Sequence, residues 1–307
     1  MKKLKLLLSV SLAFALAIFA LALTGCMTTT VTGTVQFSIE DIPVEGAVII
    51  VGDKRATTNA DGKFTLAEMP LELASGKVEI EGFPDYEFSL DLSEAEEEHS
   101  FSITIPATRL TLDFVENSQV VSRISPDNII VSFGGEVVTA EDELEASFQT
   151  EIIAPGDYVV TVESAVEPKI YEALSETITV EEGIYELEFA LQITLDESYQ
   201  RFNRGNALHR YAETYNFIHS DIRQLLSATQ WEGVHNPRAN VIDATPGEPE
   251  LLPEWESGLT GNTYENVAAI ERSFMTELGD SRIASTETQH WVLSEGRWYI
   301  VYDRKFW

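Results

Sequence analysis

Cysteine is nearly absent from this chain: 307 residues contain one, Cys26. A single thiol forms no intrachain disulfide and no cysteine-based metal site, so stability must come from hydrophobic cores. Positive charge is scarce too, with 20 Lys and Arg against 51 Asp and Glu and a formal net charge of -31. Such a surface repels phosphate backbones, whose binding rests on Lys and Arg, and no nucleic-acid partner is expected. It also disfavours lying flat on anionic lipid. The catalytic signatures of Gly-x-Ser-x-Gly, His-Glu-x-x-His and the phosphate loop are missing. Long apolar runs are limited to one, Leu6 to Leu23.

That run lies between a basic start, Met1-Lys2-Lys3-Leu4-Lys5, and the small-residue step Leu23-Thr24-Gly25-Cys26. The order reads as an export signal. At about 18 residues it approaches the roughly 20 that span a bilayer, which is the competing reading. The Leu-Thr-Gly-Cys step resembles the lipobox of bacterial lipoproteins. The resemblance implies that residues 1–25 are removed and that Cys26 becomes a lipid-modified N-terminus, carrying a diacylglyceryl group and an N-acyl chain such as palmitate. One acyl chain anchors only marginally, so more than one is needed. Met27 stands where an Asp would resemble an inner-membrane retention signal, so the expected place is the cell envelope, on the outer membrane if the host has two. The acid is concentrated early: residues 27–195 hold 34 Asp and Glu against 7 Lys and Arg, and residues 196–307 hold 17 against 10.

After a Thr-rich tether, residues 26–30, alternation at Val31, Gly33, Val35, Phe37 and Ile39 predicts a strand with one buried face. Further strands are predicted at Ala47 to Val51, Lys63 to Leu66, Lys77 to Glu81, Tyr86 to Leu92 and Ser100 to Ile105, with turns at Gly52-Asp53, Asn59 to Gly62 and Gly82 to Pro84. Gly33-Thr34-Val35, Val44-Glu45-Gly46-Ala47-Val48 and Asn59-Ala60-Asp61-Gly62-Lys63-Phe64, in that order, resemble the carboxypeptidase regulatory-like domain. This implies a seven-stranded, transthyretin-type β-sandwich without catalytic residues over 31–106. Asp53, Asn59, Asp61 and Glu68 are the residue types that bind calcium. A hairpin turn explains Asp61-Gly62 more simply.

Residues 107–194 read as a second, diverged β-sandwich offset by about 85 residues. Leu110, Leu112 and Phe114 alternate, as do Ile130, Ser132 and Gly134 in part, and Tyr158 to Val162 and Ile184 to Leu191 are further strands. Pro155 falls on Pro70, Tyr171 on Tyr86, and Tyr185 to Phe189 near Ser100 to Ile103.

At Asp196 the texture changes. Tyr199, Phe202, Leu208, Tyr211, Ala212, Tyr215 and Ile218 recur at helical spacing, and Ser220 can cap a second short helix. A Pro-, Gly- and Glu-rich loop is predicted from Gly233 to Gly261, then strands at Asn266 to Thr276, Arg282 to Leu293 and Arg297 to Tyr302. Arg210 to Leu226 and the hairpin His290-Trp291 to Trp298-Tyr299-Ile300-Val301 resemble the nuclear transport factor two-like, cystatin-like cone fold. The fold class expected is therefore mainly β and multidomain: two seven-stranded-type sandwiches, then an α+β domain at 195–307 with helices on a curved antiparallel sheet.

His209, His219, Asp221, His235 and His290, with Tyr211 and Tyr215, are the candidates for acid–base work. His209 and His219 fall about 80° apart around a helix, which does not make a metal pair. Asp221 reads more simply as a first-turn acid. The chain thus reads as a non-enzymatic, lipid-anchored envelope protein that presents a C-terminal binding domain and needs no cofactor or metal. A pocket enzyme, or an adhesive or assembly subunit, is the alternative. Tyr215, His219, Trp291 and Trp298 are the candidate ligand-binding residues. The membrane, through Cys26, and an envelope protein or small ligand are the expected partners.

Overall fold

A computed structural model describes residues 28–93, 98–117, 123–140, 144–234, 239–278 and 280–304. The export signal, Cys26 and His235 lie outside the described residues. Among the described residues no helix is long and apolar enough to cross a membrane. The chain is mainly β, with several sheets, and divides into two compact units: residues up to 109 with 151–156 and 179–185, and residues 110–150, 157–178 and 186 onward.

Seven strands come first: β1 (Thr28–Phe37), β2 (Val48–Val51), β3 (Lys54–Thr57), β4 (Lys63–Pro70), β5 (Leu73–Glu79), β6 (Tyr86–Asp91) and β7 (Glu98–Ile105). They form a three-stranded sheet, β4-β1-β7, and a four-stranded sheet, β3-β2-β5-β6. Period-two alternation puts Val31 and Val35 of β1, Phe64 and Leu66 of β4 and Ile103 of β7 in one core with Ile49, Val51 and Val78 of the other sheet. The shared core makes this pair of sheets a sandwich.

The Asn59 to Gly62 turn is closed by Asn59, whose Oδ1 accepts from the backbone N–H groups of Asp61 (3.1 Å) and Lys63 (2.9 Å). Gly62 has φ +71°, and a Cβ there would collide with the Val35 carbonyl. This is a tight turn but not a hairpin, because it carries the chain from β3 in one sheet to β4 in the other. Glu68 sits at φ +56°, where the β1–β4 register slips, and pairs with Lys54 at 3.6 Å. Strand β3 escapes sequence reading because Lys54-Arg55-Ala56-Thr57 carries no apolar alternation.

The second set is β8 (Thr108–Glu116), β9 (Ile129–Phe133), β10 (Glu136–Val138), β11 (Ser147–Gln149), β12 (Gly156–Ser164), β13 (Leu174–Val180) and β14 (Gly183–Leu191). Its sheets are β11-β8-β14 and β10-β9-β12-β13. Numbered within each set, both follow the orders 4-1-7 and 3-2-5-6. Ser100 to Ile103 and Tyr185 to Phe189 both lie on seventh strands. The Tyr86 and Tyr171 match fails: Tyr86 opens β6, whereas Tyr171 precedes β13 and bridges Ile193. In β9 the buried residues are Ile129, Val131 and Phe133, and Ile130 faces water. Phe114, Phe148 and Phe189 join the three strands of one sheet through ring contacts at 5.4–5.6 Å.

Helix α1 (Leu195–Ala207) follows, capped by Thr194, whose Oγ1 accepts from the Glu197 N–H at 3.2 Å. The helical periodicity does not run on to Ile218. It breaks at His209, φ +59°, and resumes as α2 (Tyr211–Thr214), a 3₁₀ turn at Tyr215–Phe217, α3 (Ser220–Leu225) and α4 (Ala228–Val234). The cap of α3 is His219, not Ser220: the His219 Nδ1 accepts from the Asp221 N–H at 3.3 Å.

The last sheet contains β15 (Ala239–Pro246), β16 (Glu250–Glu256), β17 (Thr263–Leu278), β18 (Ser281–Ser294) and β19 (Arg297–Val301). Its order is β15-β17-β18-β19, with β16 also on β17. Strands β15 and β16 lie where a loop was expected. Each pairs with a different half of β17, β15 along Arg272 to Leu278 and β16 along Thr263 to Ala269. Pro246 and Pro253 are tolerated because these strands bond on one side only. Glu295 (φ +51°) and Gly296 (φ +70°) close the β18–β19 hairpin in the two-residue turn their left-handed backbone permits. Tyr199 and Phe202 of α1 and Ile222 of α3 pack with Val267, Trp291, Val292 and Ile300 of the sheet.

Candidate functional site

Position i, i+3, i+7 and i+10 along α1 puts Ser198, Arg201, Gly205 and Leu208 on one stripe. The stripe forms a wall of a cavity of about 230 Å³, completed by Asn117 and Ile193, by Arg210 to Phe217 in part, and by Arg297, Trp298 and Tyr299 of β19. The helix can come this close to α2 because residue 205 is glycine: a Cβ there would collide with the Thr214 side chain. Four arginines, Arg201, Arg204, Arg210 and Arg297, line the cavity against one acid, Glu213. In a chain of net charge -31 that is a local reversal of sign.

The four arginines are not equivalent. Arg201 is committed to structure: its Nε donates to Glu197 at 2.6 Å and its NH1 to Glu116 at 2.7 Å. The Glu116 side chain is 1% exposed. Burial alone would lower the Arg201 pKa, but the bonds to Glu116 and Glu197 outweigh it and hold the guanidinium above its ordinary value. Burial, with Glu116 beside it, pushes the Tyr171 hydroxyl up to about 12. Arg210 is 3.7 Å from Glu213. The Arg297 Nε donates to the Asn117 Oδ1 at 2.6 Å, and the Asn117 amide in turn donates to the carbonyls of Glu295 and Gly296. Neither Arg297 nor Arg204 has an acidic partner among the described residues. Arg204 is exposed at the cavity's rim beside Leu208, which is 55% exposed.

Of the four candidate ligand-binding residues, Trp298 alone lines this cavity. Its Nε1 is buried and has no acceptor among the described residues. Trp291 is fully buried core, in edge contact with Phe202 at 5.6 Å, and its Nε1 donates to Gln289. The Tyr215 hydroxyl donates to the Leu226 carbonyl at 2.8 Å. His219 packs edge-on against Tyr264 and Tyr299.

The acid–base candidates are dispersed. His209 bonds Tyr211 at 2.6 Å on the surface, and His290 stacks on Trp255 at 3.9 Å. His219 and Asp221 do meet, at 3.7 Å, but neither lines the cavity. Burial lowers the His219 pKa, with Asp221 opposing and Arg223 adding to the shift. Asp221 is held below the usual carboxylate range: burial raises it, but hydrogen bonds from Asn262 (2.8 Å) and Tyr264 (2.9 Å) prevail. Among the described residues no group of three or more His, Cys, Asp or Glu is placed to hold a metal ion.

Sequence reasoning missed the arginines. The signal available was the charge asymmetry, 10 of the cations lying after residue 195, together with the spacing of Ser198, Arg201, Gly205 and Leu208 on one helix face.

No protein-family model and no curated protein sequence matches the chain. Among solved structures, a minor pilin of Streptococcus agalactiae matches over 54% of this chain and 97% of its own, at 15% identity and a TM-score of 0.33. A streptococcal ancillary pilin matches over 56% and 64%, at 12% identity and a TM-score of 0.27. A shaft pilin of Lactobacillus rhamnosus GG matches over 55% and 99%, at 12% identity and a TM-score of 0.24. At TM-scores below 0.5 these likenesses carry no argument about this chain.

Proposed function

We propose that the chain is a non-catalytic, lipid-anchored protein of the cell envelope. In this reading Cys26 carries the lipid, residues 31–106 and 107–194 are β-sandwich modules of which the first is carboxypeptidase regulatory-like, and residues 195–307 form a nuclear transport factor two-like domain that binds a ligand. The observation that carries the binding role is the cavity along α1, where a concave site combines apolar walls with a few convergent polar groups. The committed hydrogen bonds of Tyr215 and His219 favour binding over chemistry. The test is saturable binding of small molecules to the purified full chain, lost when the cavity is filled by Ser198→Trp in a variant that still melts cooperatively. Binding unaffected by that substitution would remove the cavity from the reading.

An adhesive or assembly role is the second reading, favoured by the outer face of sheet β10-β9-β12-β13. There Ile130 (45% exposed), Val137 (70%) and Val159 (43%) stand in water on neighbouring strands. If that face associates, the double change Ile130→Glu and Val137→Glu abolishes self-association or partner capture in sedimentation. An unchanged sedimentation profile counts against it.

A further inference from the structure

We infer that the cavity's ligand is a small organic carboxylate with a compact apolar body. The inference rests on the binding reading above and adds the chemistry of the ligand. Three observations converge on it.

The first is charge. Four of the chain's twelve arginines line one cavity. Even after Glu213 and the two acids behind Arg201 are set against them, the site keeps a positive excess in a strongly acidic protein. Arginine stays charged at any physiological pH and presents a planar fork that matches the two oxygens of a carboxylate. Arg204 and Arg297 lack an acidic partner among the described residues, and the bond from Arg297 Nε to Asn117 fixes one side of its guanidinium and leaves the other side available.

The second is the remainder of the wall. Ile193, Leu208 and Phe217 are apolar, and the rings of Trp298 and Tyr299 add aromatic surface whose only donors are one N–H and one hydroxyl. A bare phosphate would leave this surface uncovered. A carboxylate on a ring or short chain covers it. The half-exposed Leu208 beside Arg204 gives the mouth the same mixed character.

The third is size. At about 230 Å³ the cavity lies below the roughly 300–1,000 Å³ of pockets for drug-sized ligands, which limits the occupant to a small molecule.

The experiment is calorimetric titration of the purified full chain in detergent micelles with benzoate, its neutral isostere benzamide, and inorganic phosphate. Benzoate is expected to bind at one site, with benzamide at least about tenfold weaker because the charge-assisted bonds are lost. Phosphate is expected to bind weakest. Arg204→Gln with Arg297→Gln should abolish the preference for benzoate over benzamide. Should that variant fail to fold, two exposed changes carry the test: Leu208→Glu weakens benzoate, and Glu213→Gln tightens it. Equal binding of benzoate and benzamide overturns the carboxylate inference and leaves the binding reading standing. Phosphate binding as well as benzoate overturns the apolar body. Absence of binding by all three probes overturns the carboxylate inference, whereas the binding reading falls on the Ser198→Trp test above.

Discussion

The pair Glu116–Arg201 joins the end of β8 to helix α1 inside one compact unit, and the structure fixes what its loss should cost. Glu116 is 1% exposed and Arg201 25%, at 2.7 Å. Removing one partner of a buried pair leaves an uncompensated charge and typically costs about 3–5 kcal/mol, whereas replacing both with apolar residues of similar volume is often neutral. Partial exposure of Arg201 places Arg201→Met near the lower end, at about 3 kcal/mol. For a unit of roughly 150–250 residues, where 1 kcal/mol shifts Tm by about 2–4 °C, that is a fall of about 6–12 °C. Adding Glu116→Leu should restore most of it, to within about 1 kcal/mol of the parent. Glu197, left alone in the first turn of α1, keeps the favourable helix-terminus field. Urea denaturation of the parent, both single variants and the double variant gives the coupling energy directly. If Arg201→Met is no less stable than the double variant, Glu116 does not depend on Arg201 and the reasoning fails.

The remaining predictions concern other parts of the chain. Stability should fall with acid: burial holds His219 and His290 below the ordinary 6.5, so the unfolded chain takes up protons first, and the contribution present at neutral pH is lost as pH drops below about 6.5. His219→Asn, which keeps a capping acceptor, should flatten part of that slope in urea midpoints taken between pH 8 and 5, and an unaltered slope would exclude His219 as a source. Trp291→Ala should cost about 3–5 kcal/mol by thermal melting. Trp298→Phe should cost under about 1 kcal/mol, because it deletes an unpartnered buried N–H along with some apolar area, and a loss as large as that of Trp291→Ala would refute the distinction. Cys26→Ser should release the protein from membranes and abolish fatty-acid labelling; unchanged fractionation would defeat the lipoprotein proposal. The fragment 196–307 should melt at lower temperature than one extended back to residue 107, since it lacks Glu116 and Asn117, and equal melting temperatures would show those contacts to be dispensable.

How far such features could be read in advance depends on how local their cause is. The alternation of Val31 and Val35, or of Leu110, Leu112 and Phe114, follows from one strand having one wet face, so a few consecutive residues suffice. The Glu295-Gly296 turn is equally local, since two left-handed residues in a row determine it. Strands β15 and β16 were hidden because each bonds along one side to half of β17, and that arrangement tolerates the prolines and glycines that read as loop. Trp291 and Trp298 have the same residue type on neighbouring strands and identical local signals, yet one is sealed among Phe202, Phe217 and Tyr199 while the other borders a cavity. The register puts both on one face of the hairpin, Trp291 opposite Ile300 and Trp298 opposite Leu293. Their difference therefore comes from position along it, Trp298 lying next to the turn where the cavity opens, a fact of tertiary packing. The arginine cavity is the extreme case. Asn117 precedes Arg297 by 180 residues, and the two meet at 2.6 Å. Only the half of the site carried by α1, from Ser198 to Leu208, left a periodic trace, and that trace gains meaning once β19 supplies the opposite wall.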